Sequence, residues 1–204
     1  MTLNDNAYKV WTKLQGDEVR RIVVAPDNSP LPQGSCVLQL DGADWLTHDT
    51  ITAPSNNVLY YRREAADFYE KVILPIVTPQ ALSNTHRLVV CGSPGIGKSF
   101  FLNAIIYNVS QMALKQEKVI NVFFESVSLG SILWLQFGPS ANPPLEATRY
   151  SLDHYVKDFE NDNSIYLVDE GTYTATHEPM VVQNATTILA SSPQRGNYSG
   201  FRTI

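Results

Sequence analysis

The pattern of apolar and polar positions changes character near residue 85. Before that point, short apolar runs separated by turn-forming residues predict three strands, over residues 19–25, 35–40 and 58–61. The apolar side chains of residues 62–74 then recur at steps of three and four, which predicts a short helix that ends at Pro75. We therefore predict a mixed α+β lead-in region over residues 1–84, with its boundary in the Pro- and Ser-containing segment 78–84.

From residue 86 onwards, the pattern alternates between strands and helices. Residues 87–91 are an apolar run that predicts a strand, and residues 99–115 carry apolar side chains at helical spacing. A brief helix is predicted over residues 153–159. Further strands are predicted at residues 118–125, 132–137, 165–168 and 187–190, the second of them as a candidate hairpin partner of the first. The last two runs are continuously apolar, as is typical of strands buried on both faces of a parallel sheet. This alternation favours an α/β fold with helices flanking a mainly parallel sheet.

Residues 92–99 carry the strongest chemical signal in the chain. Gly92-Ser93-Pro94-Gly95-Ile96-Gly97-Lys98-Ser99 matches G-x-x-x-x-G-K-[ST], the phosphate-binding loop or Walker A pattern. The glycines let the backbone turn so that successive amide N–H groups converge on phosphate oxygens, and Lys98 adds a positive charge for the β- and γ-phosphates. Ser99 opens the following helix, where its hydroxyl can ligate Mg²⁺. With Phe100, these residues are the predicted nucleotide-binding set. A coincidental Gly-rich turn is disfavoured by the strand before the motif and the helix after it.

The second signal is an apolar strand that ends in two carboxylates, Asp169 and Glu170. This is the form of a Walker B motif. Because ligands gather beyond the carboxyl ends of strands in α/β sheets, Asp169 is predicted to hold Mg²⁺ opposite Ser99. Glu170 is predicted to orient or deprotonate the attacking water, so that Glu170 and Lys98 are the catalytic candidates. An Asp-Glu pair here is typical of the additional-strand, catalytic-glutamate branch of P-loop NTPases. The N-K-x-D motif of GTPases does not occur in the sequence.

Two further groups of residues fit two interpretations each. In the catalytic-glutamate branch, the strand between the P-loop strand and the Walker B strand ends in a polar residue that contacts the γ-phosphate or the attacking water. Ser191 and Ser192 occupy that position, and an ordinary Ser-Ser-Pro turn explains them equally well. Tyr60, Tyr61 and Arg62 precede the loop, where a residue could stack on adenine, and a strand edge accounts for them as readily.

Composition limits the class of protein. With 204 residues, 44% of them hydrophobic and 17% charged, the chain can bury a sizeable core. The net charge of -5 disfavours binding to nucleic acid through a broad positively charged surface, so no nucleic-acid partner is expected. The sequence shows neither a secretory N-terminus nor an apolar run long enough to cross a membrane, and no membrane partner is expected. Two cysteines, with Cys91 predicted to be buried, indicate an intracellular, reducing location in the cytoplasm or nucleus.

Four segments together resemble a known family: LVVCGSPGIGKSFFLN, the upstream YYRREAADFYEKVILPIV, and the later IYLVDEG and ILASSPQRGNY. They resemble the P-loop domain shared by Crinkler-type effectors of oomycetes and fungi and the retrotransposon hot spot proteins of trypanosomes, over residues 58–198. The resemblance implies an ATP-binding NTPase module usually coupled to a separate, often nuclease-like effector domain and acting in the host or parasite nucleus. It also implies secretion of an effector into a host, although this sequence contains no LFLAK-type header and no effector domain.

The leading hypothesis is an ATPase that uses Mg-ATP to alter contacts with a protein partner or another copy of itself. The alternative is a catalytically weak, nucleotide-dependent interaction module, a truncated or degenerate effector fragment. A nucleic-acid-stimulated ATPase is a third interpretation, and the acidic charge balance counts against it. Residues 85–204 would then form a P-loop core that is incomplete at its C-terminus, because little sequence remains after the fourth predicted core strand for a fifth strand or a lid, unless the lead-in strands complete the sheet.

Overall fold

A computed structural model of the chain describes residues 3–24, 29–46, 57–78, 86–93, 96–126, 131–148, 164–169 and 185–191. Its N-terminal part begins with α1 (Leu3–Gln15) and continues into an antiparallel sheet with β2 in the centre. The strands of this sheet are β1 (Arg20–Ile22), β2 (Cys36–Gln39) and β3 (Val58–Tyr61). The three predicted strands are thus confirmed, the first two with fewer residues.

Helix α1 is the N-terminal element that our prediction lacks. Its buried apolar side chains are Ala7, Val10 and Leu14, spaced three and four residues apart as one face of a helix requires. The indole N–H of Trp11 donates to the main-chain carbonyl of Gln136 at 2.6 Å, which fixes the helix against a strand far along the chain. The helical spacing of these four residues is the sequence signal for α1.

The predicted helix after β3 is present but does not end at Pro75. It consists of α2 (Arg63–Phe68), a π-helical turn (Tyr69–Ile73) and α3 (Leu74–Val77). Proline inside a regular α-helix removes a donor and clashes with the carbonyl four residues earlier. The wider π-helical turn changes the hydrogen-bond register just before this position, so the helix continues past the proline. The prediction that Pro75 ends the helix is therefore wrong.

The second part of the chain forms a mixed six-stranded sheet with a long helix after its first strand. Its elements are β4 (Arg87–Cys91), α4 (Lys98–Gln116), β5 (Ile120–Ser126), β6 (Ser131–Phe137), β7 (Leu145–Thr148), β8 (Ser164–Asp169) and β9 (Thr186–Ser191). The strand order is β4-β9-β8-β5-β6-β7, with parallel pairing from β4 to β5 and antiparallel pairing from β5 to β7. The fold is α/β, and the predicted hairpin of β5 and β6 is confirmed, whereas β7 was not expected.

The position of each strand in the sheet determines whether its residues are buried as the sequence predicts. Every residue of β8 and β9 is buried, as their continuous apolar runs predict. β4 is an edge strand of the described sheet, and its last residue, Cys91, is exposed, so the prediction of a buried thiol is wrong. In the described part of the chain, β1 to β3 form a sheet of their own and do not pair with β4. The predicted helix over residues 153–159 and most of the predicted boundary, residues 79–84, lie outside the described residues.

One hydrophobic cluster joins the two parts of the chain, with side chains from α1, the small sheet, α4 and one face of the large sheet. Asn103, fully buried on α4, adds a polar link within it. Its side-chain oxygen accepts from the main-chain N–H of Leu46 at 2.9 Å, and its amide donates to the Leu46 carbonyl at 2.5 Å. A buried main-chain group without a partner is destabilising, so this side chain fixes the lead-in region to α4.

Replacing Asn103 by Ala should lower the free energy of unfolding by about 2–3 kcal/mol, because both main-chain groups of the buried Leu46 lose their partner. The matched control is Asn108→Ala on the same helix, whose amide donates to the Tyr61 hydroxyl and the Ala104 carbonyl. That change should cost less than about 1 kcal/mol. Urea denaturation measures both, and equal losses would contradict the role given to Asn103.

Candidate functional site

The Gly-rich loop lies between the end of β4 and the start of α4, as its sequence predicts. Pro94 and Gly95 lie outside the described residues, and the loop is described on both sides of them. Gly97 has a φ of 90°, a left-handed conformation that side chains disfavour. A Cβ on Gly92 would collide with the end of the Ile96 side chain. The shape of the loop therefore favours glycine at position 97, whereas a side chain at position 92 would require only the end of the exposed Ile96 side chain to move.

Lys98, the first residue of α4, closes the loop on itself. Its ammonium group donates to the main-chain carbonyls of Gly92 at 2.8 Å and of Ser93 at 3.0 Å. These two bonds hold the Lys98 ammonium against the first two residues of the loop. The first-turn N–H groups of α4 have no acceptor within the helix. A lysine ammonium at the start of a helix, where main-chain N–H groups lack acceptors, is the chemistry that favours an anion.

Ser99 and Asp169 meet across the end of the sheet. The Ser99 hydroxyl donates to one carboxylate oxygen of Asp169 at 3.0 Å, although 70 positions of sequence separate the two residues. Asp169 is the last residue of β8 and is 3% exposed. A hydroxyl and a carboxylate are hard oxygen donors of the kind that Mg²⁺ prefers. The residues present therefore fit a magnesium ion, which the motif implies and which Ser99 and Asp169 would hold.

The strand order places β9 between the loop strand and the strand that carries Asp169. In register, Ser191 pairs with Cys91 of β4, and Ala190 pairs with Asp169 of β8. Ser191 is buried at the carboxyl end of β9, as the sequence predicts, but its neighbour Ala190 pairs with Asp169, so its side chain points to the opposite face of the sheet from Asp169. Ser192 and Glu170, the residues that follow Ser191 and Asp169, lie outside the described residues. The predicted contact of Ser191 with a γ-phosphate stays a prediction.

The remaining residues of the predicted set lie around the mouth of the loop. Ile96 and Ser93 are exposed, while Phe100 is half-buried in the first turn of α4. Of the aromatic residues upstream, Tyr60 is exposed and Tyr61 is buried. The structure thus brings Lys98, Ser99 and Asp169 together and leaves the side chains of Ser93 and Ile96 open to solvent.

Sequence reasoning missed a buried carboxylate, Glu125, near the carboxyl end of β5. It is fully buried, and its carboxylate accepts a hydrogen bond from the hydroxyl of Tyr166. Asp169 pairs in register with Ser126, so Glu125, one residue earlier, points to the opposite face of the sheet. Glu125 therefore does not belong to the group of Lys98, Ser99 and Asp169. The apolar and polar positions of β5 do not alternate in a way that would have singled it out.

Comparison of the chain with protein-family models, curated proteins and solved structures gives no match. The resemblance to the P-loop domain of Crinkler-type effectors and retrotransposon hot spot proteins accordingly stays a prediction. None of the helices in the described part of the chain combines the length and apolar character needed to cross a membrane.

A double-mutant cycle tests the contact between Ser99 and Asp169. Combining Ser99→Ala with Asp169→Ala should reveal a coupling of about 1 kcal/mol in the free energy of unfolding, because the two groups share a hydrogen bond. Ser110→Ala, paired with the same Asp169→Ala change, is the control, since the Ser110 hydroxyl donates to the Tyr107 carbonyl within α4. A coupling for Ser99 no larger than that for Ser110 would show that the contact does not exist in solution.

Proposed function

We propose that this chain is an ATP-binding P-loop NTPase, which binds Mg-ATP through residues 92–99 and Asp169 and hydrolyses it. The observation that carries the proposal is the hydrogen bond between Ser99 and Asp169. A chance Gly-rich turn would have no reason to place its last residue against the acidic end of a buried strand. The Walker A and Walker B motifs support one another because the first supplies the Ser99 hydroxyl and the second supplies the Asp169 carboxylate that it contacts.

The described residues divide the work of binding between main chain and side chains. The N–H groups at the start of α4 and the turn at Gly97 would donate to phosphate oxygens. Lys98 would exchange the carbonyls of Gly92 and Ser93 for phosphate oxygens, a rearrangement of one flexible side chain. Ser99 and Asp169 would hold Mg²⁺, which supplies charge neutralisation at the β- and γ-phosphates when it is bound.

The strand order supports the additional-strand branch of this class. The loop strand β4 and the acidic strand β8 are not neighbours, because β9 lies between them and pairs in parallel with both. A strand between the loop strand and the acidic strand is the arrangement expected of the catalytic-glutamate branch, which the Asp-Glu pair indicates. It favours ATP over GTP as the nucleotide, in agreement with the missing N-K-x-D motif.

Hydrolysis depends in this proposal on Glu170, which directly follows Asp169 and would orient the attacking water. Hydrolysis would change contacts with a protein partner or a second copy of the chain, in the cytoplasm or nucleus. The alternative is a module that binds the nucleotide without turning it over. The two differ in a single measurable quantity, the rate of phosphate release.

Replacing Lys98 by Ala should abolish stabilisation by Mg-ATP. At an ATP concentration about 100 times the Kd, binding adds about 2.7 kcal/mol and raises the Tm of the unchanged protein by about 5–10 °C. Lys98→Ala should show almost no rise, because the charge that contacts the phosphates is gone. Lys115→Ala, an exposed lysine in the last turn of the same helix, is the control and should keep the full rise. An undiminished rise in Lys98→Ala would refute nucleotide binding by this loop.

Replacing Glu170 by Gln should keep Mg-ATP binding and lower phosphate release about 100-fold or more, because general-base catalysis by a carboxylate contributes on that scale. Glu146→Gln changes an exposed glutamate of β7 in the same way and should leave the rate unchanged. Absence of turnover in the unchanged protein would favour the non-hydrolysing module. Turnover unaffected by Glu170→Gln would remove that residue from the mechanism.

A further inference from the structure

A cavity of about 630 Å³ opens beside the loop, between β3 and the first turns of α4. Pockets of 300–1,000 Å³ with apolar walls and a few polar groups are typical small-molecule sites. The walls are largely aromatic and aliphatic, and Ile96, Gly97 and Lys98 of the loop form one end. The cavity therefore adjoins the proposed phosphate site and shares Ile96, Gly97 and Lys98 with it.

Exposed apolar side chains gather in this cavity. Val58 is 47% exposed, Tyr60 is 44% exposed and Ile96 is 54% exposed, and all three line it. Single exposed apolar residues are ordinary on a protein surface, but several around one cleft indicate a ligand. Phe100 and Phe68 add aromatic surface to the wall formed by the two helices.

Tyr60 and Tyr61 lie on opposite faces of β3 and differ in exposure. The sequence allowed either tyrosine to stack on adenine or to be an ordinary strand residue, and this difference bears on that choice. The Tyr61 hydroxyl accepts a hydrogen bond from the Asn108 amide, and burial raises the pKa of Tyr61 to about 12, so it remains a neutral core side chain. Tyr60 points to the other face of β3, where its ring is accessible. Both tyrosines line the cavity, and Tyr60 is the more exposed of the two, at 44% against 8% for Tyr61.

The free edge of β3 adds hydrogen-bonding groups to the cavity. The main-chain N–H of Leu40 donates to the main-chain carbonyl of Asn57. Because hydrogen-bonded pairs alternate along an antiparallel ladder, Leu59 and Tyr61 also form main-chain bonds with β2, whereas Val58 and Tyr60 do not. The N–H and C=O groups of Val58 and Tyr60 therefore point away from β2, where no described strand pairs with β3. Tyr60 thus offers a donor and an acceptor side by side.

We propose that this cavity binds the adenine base of the nucleotide, an inference that rests on the proposed function of the loop. Adenine carries a ring-nitrogen acceptor beside its N6 amine donor, which complements the N–H and C=O of Tyr60. Guanine presents two adjacent acceptors, N7 and O6, on the corresponding edge. The ring of Tyr60 stacks on the base, and Lys98 marks the end of the cavity where the phosphates begin.

Titrations with Mg-ATP, Mg-GTP and magnesium tripolyphosphate test the inference, because tripolyphosphate has the phosphates without the base. ATP should bind at least 10-fold more tightly than tripolyphosphate and than GTP. Tyr60→Ala should weaken ATP binding about 10-fold, as expected for the loss of one base-stacking contact, and leave tripolyphosphate binding unchanged. Tyr60→Phe should bind ATP as the unchanged protein does, since the ring and the main chain remain.

Tyr8→Ala is the matched control, because Tyr8 is 51% exposed on α1 and does not line the cavity. It should leave ATP binding unchanged. Equal affinities for ATP and tripolyphosphate, or ATP binding unaffected by Tyr60→Ala, would overturn the base site while the phosphate site stands. GTP binding as tight as that of ATP would overturn the assignment of adenine. Failure of ATP and of tripolyphosphate to bind would instead overturn the proposed function.

Discussion

The position of α4 is the constraint on which the candidate site depends. Two side chains one helical turn apart set it: Ser99 donates to Asp169 at the end of β8, and Asn103 pairs with both main-chain groups of Leu46. The Asn103 amide also donates to the Ser99 carbonyl at 3.1 Å, so the two contacts are linked. A single turn of helix thereby ties the lead-in region, the Gly-rich loop and the acidic strand into one arrangement. A shift of α4 would separate the hydroxyl of Ser99 from the carboxylate of Asp169.

The chain has a net negative charge, whereas the candidate site presents local positive charge at the loop. A net charge of -5 repels an anionic ligand at long range, and Asp169 adds a buried negative charge at short range. In the proposed function, attraction would therefore come from local features: the N-terminus of a 19-residue helix, the turn at Gly97 and the ammonium of Lys98. A divalent cation between Ser99 and Asp169 would convert the repulsive carboxylate into part of the binding site. We therefore expect nucleotide binding to require Mg²⁺.

Much of this arrangement could be predicted from sequence, for physical reasons that differ between elements. The buried strands β8 and β9 have continuous apolar runs, and the loop between β4 and α4 has glycines that only a tight turn requires, so their places could be predicted. The exposure of Cys91 could not, because it depends on β4 being an edge strand, a property of strand order. The continuation of the helix past Pro75 depends on a π-helical turn, which has no simple sequence signal. The cavity beside Tyr60 is formed by elements distant in sequence, so the residues alone left its role open.

The most direct test of the account is a titration of the protein with a non-hydrolysable Mg-ATP analogue, followed residue by residue through amide NMR signals. We predict saturable 1:1 changes, largest at the amides of Gly97, Lys98 and Ser99, with smaller changes at Asp169 and Tyr60. The changes at the loop should largely disappear when Mg²⁺ is removed. Unchanged signals at Gly97 to Ser99 at millimolar nucleotide, or changes confined to another surface, would contradict the claim that this loop is a nucleotide site.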